Sequence, residues 1–272
     1  MKTRLISIAV ILPAVIAIII AGNWSYTLLI AAATLLACVE YVRMLKRKNY
    51  TLAPVCVFAF NLLWLADALW GNGQWLAPGL AGLALLTAGW ILYRRHRHPE
   101  VEAPTAEWAL TLAGGTYLGI GGAYLLRMRA LPDGLWWTFT ALPVVWISES
   151  AAYLFGRRWG RHKMSPTISP GKSWEGYAGE VASGILTGAF LGWLWPTVAQ
   201  QSLNVTPGKG ALLGLVIATL TTAGDFFVSV IKREVGVKDT GTLIPGHGGI
   251  FDRIDSLLWT GFVTWTFVTL LT

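Results

Sequence analysis

Residues 5–22 read LISIAVILPAVIAIIIAG, and residues 24–42 read WSYTLLIAAATLLACVEYV. A helix needs about 20 mostly apolar residues to cross the roughly 30 Å hydrocarbon layer of a bilayer, and both runs approach that length. Lys2 and Arg4 precede the first run, as basic residues do in a secretory signal peptide. Because its apolar stretch is longer than such a peptide needs, and a second run follows at once, we expect a retained membrane anchor.

The composition of the whole chain is that of a membrane protein. Of its 272 residues, 54% are hydrophobic and 13% are charged, about half the roughly 25% charged residues of soluble domains. Apolar runs give nine candidate spans, at about 5–22, 24–42, 52–70, 75–93, 108–126, 135–155, 174–195, 208–231 and 256–271. Pairs of small residues four apart predict close helix packing at Gly115/Gly119, Gly188/Gly192 and Gly210/Gly214. The sequence therefore predicts an all-α polytopic membrane protein with about nine transmembrane helices.

The net charge of +7 could indicate a nucleic-acid partner, but the positions of the basic residues favour a membrane topology. With nine spans, all but three of the 21 lysines and arginines fall on the side of the N-terminus. The exceptions are Arg127, Arg129 and Lys209. Since basic loops stay in the cytoplasm, the N-terminus is predicted to be cytoplasmic, and we expect no nucleic-acid partner.

Acidic residues inside membrane spans are costly and indicate function by default. Four fall in predicted spans near their cytoplasmic ends: Glu40, Glu149, Glu180 and Asp225. We expect Glu40, and Asp67 near the opposite face, to be interfacial side chains that reach out to water. Glu149 and Asp225 flank the two longest polar segments, which favours a functional site there.

Residues 229–255 read SVIKREVGVKDTGTLIPGHGGIFDRID, and we call them the signature segment. The segment combines four cations with the turn Gly246–Gly249, whose backbone amides could approach an anion closely. Asp225, just before it, and three aspartates within it supply hard oxygen ligands of the kind that Mg²⁺ prefers. Cations, a glycine-rich turn and carboxylates together predict a site that handles a nucleoside triphosphate.

The signature segment resembles that of the phosphatidate cytidylyltransferase family. The matching positions are Ser229, Lys232, Arg233, Lys238, Asp239, Gly241, Pro245, His247, Gly248, Gly249, Asp252, Arg253 and Asp255. Residues 152–157 (AYLFGR) and 169–176 (SPGKSWEG) resemble two further family segments, so the resemblance covers roughly the C-terminal half. The chain departs from the family pattern at Glu149, where Asp is usual, and at Val228, where Glu is frequent.

The resemblance implies transfer of the cytidylyl group of CTP to phosphatidate, which gives CDP-diacylglycerol and pyrophosphate. It implies catalytic roles for Lys232, Arg233, Lys238, Asp239, His247, Arg253 and Asp255. Asp225 and Asp252 would hold Mg²⁺, with Glu149 as a doubtful third ligand and a second cation conceivable. Ser169, Lys172, Gly248 and Gly249 would bind substrate.

The predicted arrangement is a single membrane domain over 1–272. In it, about 1–130 form a helical scaffold and about 135–272 form a catalytic half. The resemblance implies a multi-pass protein of the inner (plasma) membrane, with its active site facing the cytoplasm. The expected partners are CTP, phosphatidate and membrane lipids, and the chain could form a homodimer.

Two other functions stay open. A CTP-dependent lipid kinase would transfer the γ-phosphate and release CDP instead of pyrophosphate. A transporter would need charged residues at the membrane midplane or two similar halves. Here the acids gather at one face and the halves do not resemble each other, so the transporter is the weaker alternative.

Overall fold

The computed structural model describes residues 2–99, 103–243 and 248–271, with side chains from residue 12 onward. Nine α-helices lie in these ranges: α1 (Lys2–Ala21), α2 (Asn23–Lys46), α3 (Pro54–Ala66), α4 (Leu76–Arg97), α5 (Pro104–Arg129), α6 (Gly134–Trp159), α7 (Trp174–Ala199), α8 (Pro207–Glu234) and α9 (Phe251–Leu271). A short antiparallel hairpin of β1 (Lys163–Ser165) and β2 (Ser169–Ser173) connects α6 to α7. The prediction of an all-α chain is confirmed, apart from this hairpin.

In the described part of the chain, seven segments are long and apolar enough to cross a membrane. They are α2, α3 with its π-helical extension Asp67–Gly71, α4, α5, α7, α8 and α9. In α1, the stretch Leu12–Ala21 is apolar but too short to cross a membrane by itself. Helix α6 has 26 residues and is about 39 Å long, but its Thr, Ser, Glu and Arg side chains lower its hydropathy. The chain is therefore a multi-pass membrane protein, and nine is an approximate count of its spans.

The chain divides into two compact units. The first takes its residues from 1–126 and 234–254, and the second from 127–233 and 255–272. Residues 234–254 of the signature segment therefore belong to the same unit as the N-terminal helices. The predicted single domain with a scaffold half and a catalytic half stays a prediction.

In the first unit, α2 packs against α1 and α3. Ala37, Val57, Phe60 and Leu118 are fully or almost fully buried and form part of its core. The Tyr41 hydroxyl on α2 donates a 2.9 Å hydrogen bond to the backbone carbonyl of Leu110 on α5. These contacts tie the helices together around α2, which carries Glu40.

In the second unit, glycines bring α7 and α8 into backbone contact. A Cβ on Gly188 would collide with the carbonyl oxygen of Gly210, and a Cβ on Gly214 would collide with that of Gly184. Without a hydrophobic force between helices in lipid, such close packing is a main source of association. The prediction of close packing at the small-residue pairs is confirmed here, and α8 is held in a fixed position beside α7.

Candidate active site

A polar stripe runs along the last turns of α8 in the second unit. Thr222, Asp225, Ser229 and Lys232 follow one another at intervals of three or four residues, which places them on the same helix face. Thr222, Ser229 and Lys232 are buried, and Asp225 is half-buried. A buried polar stripe on an otherwise apolar helix must find partners, because unpaired polar groups are costly to bury.

Lys172 on strand β2 supplies the partner of Asp225. Its ammonium lies 2.9 Å from Asp225 Oδ2, while the Ser229 hydroxyl donates to Asp225 Oδ1 at 3.3 Å. The same ammonium stands 4.7 Å from the centre of the Phe226 ring, within the range of a cation–π interaction. Asp225 is thus bound on both oxygens by groups of its own unit.

The start of α7 fixes the position of Lys172. The next residue, Ser173, is the N-cap of α7 and accepts a 3.2 Å hydrogen bond from the amide of Gly176. Ser173 is only 2% exposed, so the strand enters the helix at a packed, capped junction. Lys172 therefore directly precedes a buried residue that caps a helix.

Two further carboxylates of the second unit lie within electrostatic range of Asp225. Glu180 on α7 is buried and accepts a 2.9 Å hydrogen bond from Thr222. Asp255 on α9 is buried and accepts a 2.8 Å bond from the amide of Ser256. Glu149 and Asp225 interact electrostatically with both of them. Helices α6, α7, α8 and α9 therefore each bring one acidic side chain to this part of the second unit.

The carboxylates of the second unit suit one mode of Mg²⁺ binding. Within the described residues, no group of three or more His, Cys, Asp or Glu side chains could hold a metal ion. Mg²⁺ is usually held by one or two carboxylates, with waters and substrate phosphates completing its octahedron. A half-buried carboxylate such as Asp225, with further acids in electrostatic range, fits that mode of binding and not an all-protein cage.

The first unit contains its own carboxylate centre, built from Glu40 and Asp252. Asp252 Oδ2 accepts hydrogen bonds from the Thr240 amide at 2.8 Å and the Gly249 amide at 3.1 Å. Glu40 Oε1 accepts from the Ile250 amide at 3.0 Å. These two acids therefore organise the end of the signature segment.

The predicted site residues are distributed over both units. Glu149, Ser169, Lys172, Asp225, Lys232, Arg233 and Asp255 belong to the second unit, and Lys238, Asp239, Gly248, Gly249, Asp252 and Arg253 belong to the first. His247 lies outside the described residues. Within the second unit, the structure brings Lys172 and Asp225 together, and their part in a common site stays a prediction. The shared metal ion of Asp225 and Asp252 stays a prediction.

Two predicted side-chain environments are wrong. Glu40 and Asp67 were expected to reach water, but Glu40 is 6% exposed and Asp67 is 0% exposed. The Asp67 carboxylate accepts hydrogen bonds from the backbone amides of Gly73 and Trp75, at 3.0 and 3.3 Å. Glu40 likewise receives backbone amides, so each carboxylate is satisfied inside the protein and has no need of solvent.

Sequence reasoning therefore missed Glu40, and it also left Glu180 out of the site. Their position along the predicted spans could have identified both residues. Both lie in predicted spans near the cytoplasmic end, as Glu149 and Asp225 do. An acid inside a span is a functional candidate until a partner is known.

Comparison with known proteins identifies the family. The model of the Cytidylyltransferase family matches residues 2–271. A Mycobacterium bovis protein named phosphatidate cytidylyltransferase is 33% identical over 89% of this chain and 80% of its own length. Proteins of the same name from Synechocystis and Staphylococcus epidermidis are each 30% identical. The first match covers 98% of this chain and 96% of the relative, and the second covers 95% of both. Because the family model matches nearly every residue, the chain belongs to the cytidylyltransferase family.

Proposed function

We propose that the chain is a phosphatidate cytidylyltransferase, which joins CTP and phosphatidate to give CDP-diacylglycerol and pyrophosphate. The family match over residues 2–271 carries this proposal. The close pairing of Lys172 with Asp225 supports it, because it places a cation among several carboxylates in the second unit. Two polyanionic substrates need positive charge, which Lys172 and a cation held by the carboxylates would supply.

In the proposed reaction, an anionic oxygen of phosphatidate attacks the α-phosphorus of CTP. The new phosphorus–oxygen bond forms as the bond between the α-phosphorus and the bridging oxygen to the β-phosphorus breaks. The electron pair leaves with pyrophosphate. Because the attacking oxygen is already ionised at neutral pH, the enzyme needs no strong general base.

The basic residues are suited to holding the phosphates. Lys172 and Asp225 are 24% and 34% exposed at their side chains, so the Lys172 ammonium could exchange Asp225 for a substrate phosphate. Arg233 is exposed, and its Nε donates to the carbonyl of Ile168 at 3.2 Å. That bond orients the guanidinium beside the β1–β2 hairpin that carries Lys172.

The proposed cofactor is Mg²⁺, with a second cation conceivable. Asp225 and Asp252 would provide carboxylate ligands, and Glu149 remains a weaker candidate because it is exposed. When bound, the ion offsets negative charge on the triphosphate and on the leaving pyrophosphate. The residues of the chain would position the two substrates.

The proposed location is the inner (plasma) membrane, with the site on the cytoplasmic side. CTP would reach it from the cytoplasm, and the lipid tails would reach it from the bilayer. Bound membrane lipids and a homodimer are also proposed. Light scattering of the purified protein in detergent tests the dimer, and a mass equal to one chain would exclude it.

Two radiolabels test the reaction and separate it from the lipid kinase. Purified protein is incubated with phosphatidate, Mg²⁺ and CTP labelled at either the α- or the γ-phosphorus, and the lipid is extracted. We expect the α-label in the lipid and the γ-label in pyrophosphate. The γ-label in the lipid, with release of CDP, would contradict the proposal and favour the kinase.

A further inference from the structure

The Glu40 carboxylate makes several hydrogen bonds to the signature segment, although it lies on a helix predicted to be part of the scaffold. Its carboxylate accepts hydrogen bonds from the Ile250 amide, the Phe251 amide and the Thr240 hydroxyl, each at 3.0 Å. These donors are 200 to 211 residues away in sequence. The Phe251 amide is one of the first N–H groups of α9, which have no acceptor inside their own helix.

Thr240 connects Glu40 to Asp252. Its hydroxyl oxygen lies 3.0 Å from Glu40 Oε2 and 3.0 Å from Asp252 Oδ2. The hydroxyl has one proton, so it donates to only one carboxylate at a time. Its amide donates to Asp252 at 2.8 Å in either case. Any displacement of Thr240 from Glu40 therefore changes the surroundings of Asp252.

The backbone of the segment is pressed against Glu40. A Cβ on Gly241 would lie 2.5 Å from Glu40 Oε1, and a Cβ on Gly249 would collide with Glu40 Oε2. Real Cβ atoms do not approach a carboxylate oxygen this closely, so a side chain at either position would displace the Glu40 carboxylate from its hydrogen bonds. The glycines allow the segment to close around the carboxylate, and Gly249 is itself buried.

We infer that Glu40 is a positioning residue for the reaction. It holds Thr240 and residues 249–251 in the conformation that presents Asp252, and it does not itself contact substrate. This inference rests on the proposed function insofar as Asp252 serves the chemistry. Under this inference, helix α2 does more than support the fold, because its Glu40 positions a residue of the proposed active site.

Glu40→Gln tests the inference with little change of shape. Glutamine offers one acceptor oxygen, while its NH₂ group faces donors, so at least one backbone hydrogen bond is lost. We expect kcat to fall about tenfold or more with the KM values for CTP and phosphatidate within about threefold of wild type, since misplaced groups affect the transition state most. Trypsin cleavage after the exposed Lys238 should become about tenfold faster or more under native conditions, because the segment opens more often.

Asp67→Asn is the matched control. Asp67 is also a fully buried acid of the first unit that accepts backbone amides, but its partners Gly73 and Trp75 lie in the turn before α4. We expect it to lower thermal stability while kcat and the cleavage rate at Lys238 stay at wild-type values. Equal effects of the two substitutions on kcat and cleavage would overturn a specific role for Glu40.

Thr240 gives a second test should Glu40→Gln fail to fold. Thr240→Val keeps the shape and removes the hydroxyl, whereas Thr240→Ser keeps the hydroxyl. We expect a severalfold loss of kcat and faster cleavage for valine only, and wild-type behaviour of valine would overturn the inference. If the wild-type protein makes no CDP-diacylglycerol, the proposed function fails. The cleavage pattern would then still decide whether Glu40 holds the segment.

Discussion

The Lys172 ammonium and the Asp225 carboxylate form a 2.9 Å ion pair between strand β2 and helix α8. Both side chains keep partial contact with solvent, at 24% and 34% exposure. Pairs of this kind contribute little net stability, because water competes for both charges. The pair is therefore better suited to be opened by a phosphate than to hold the fold together.

Replacing Lys172 tests that interpretation. We expect Lys172→Ala to lower kcat/KM at least tenfold, about 1.4 kcal/mol in transition-state stabilisation, with normal expression. Lys172→Arg should restore only part of the activity, because a planar guanidinium differs from an ammonium. Steady-state kinetics with each substrate varied in turn measures both variants.

Lys163→Ala is the control for Lys172, since it removes the same charge from an exposed position on strand β1 of the same hairpin. It should leave kcat/KM unchanged. Wild-type kinetics of Lys172→Ala for both substrates would reduce Lys172 to a basic residue that anchors the topology.

The proposed metal ligands are tested by Asp225→Asn and Asp252→Asn. Each should retain less than about a tenth of the wild-type rate while still inserting into the membrane, because a lost ligand removes several kcal/mol of transition-state stabilisation. The Mg²⁺ dependence of the residual activity should also weaken. Asp133→Asn is the matched control, since Asp133 accepts an exposed 2.8 Å bond from the Asn204 amide. More than a tenth of the rate in either test variant would exclude that ligand.

Reporter fusions test the topology and, in particular, whether α6 crosses the membrane. We expect a cytoplasm-active reporter to work after Lys48, Lys172 or Glu234 and to fail at the C-terminus, as the distribution of basic residues indicates. If α6 does not cross, Lys48 and Glu234 lie on opposite sides. A reporter that is active at only one of these two positions would therefore remove α6 from the spans.

The contact of α7 with α8 is tested by Gly188→Ala. The added methyl group meets the backbone of Gly210, so we expect destabilisation of about 1–3 kcal/mol, as for other overpacked positions. Thermal unfolding in detergent measures it. Gly208→Ala is the control, because nothing lies within 4 Å of a Cβ there. Equal melting temperatures for both variants would contradict the close contact.

Much of the architecture followed from hydropathy alone. A helix in lipid must satisfy its backbone internally and present apolar side chains, so each span leaves a long apolar run that can be counted in the sequence. Helix α6 shows where counting becomes approximate, since Trp, Thr and Ser residues dilute its apolar character. The small-residue pairs could also be recognised, because close packing of helices leaves room only for glycine and similar residues.

The chemistry of the candidate site was likewise local enough to be visible in the sequence. The cations, glycines and aspartates of residues 229–255 stand close together along the chain, and their types alone indicate phosphate and metal binding. They also carry the resemblance to the phosphatidate cytidylyltransferase family. Lys172 could be linked to them only through that resemblance and through loops predicted to share a face.

Tertiary structure decided which acids have partners. In the sequence, Glu40 and Asp67 look like side chains that could reach water from the ends of their spans. Only the folded chain brings the amides of Ile250 and Phe251 to Glu40, and the turn before α4 to Asp67. These partners of Glu40 lie 210 and 211 residues away, so their approach depends on the packing of whole helices and no spacing along the chain encodes it. The partners of Asp67 lie only six and eight residues further on, but the turn that folds them back is not marked by any apolar periodicity.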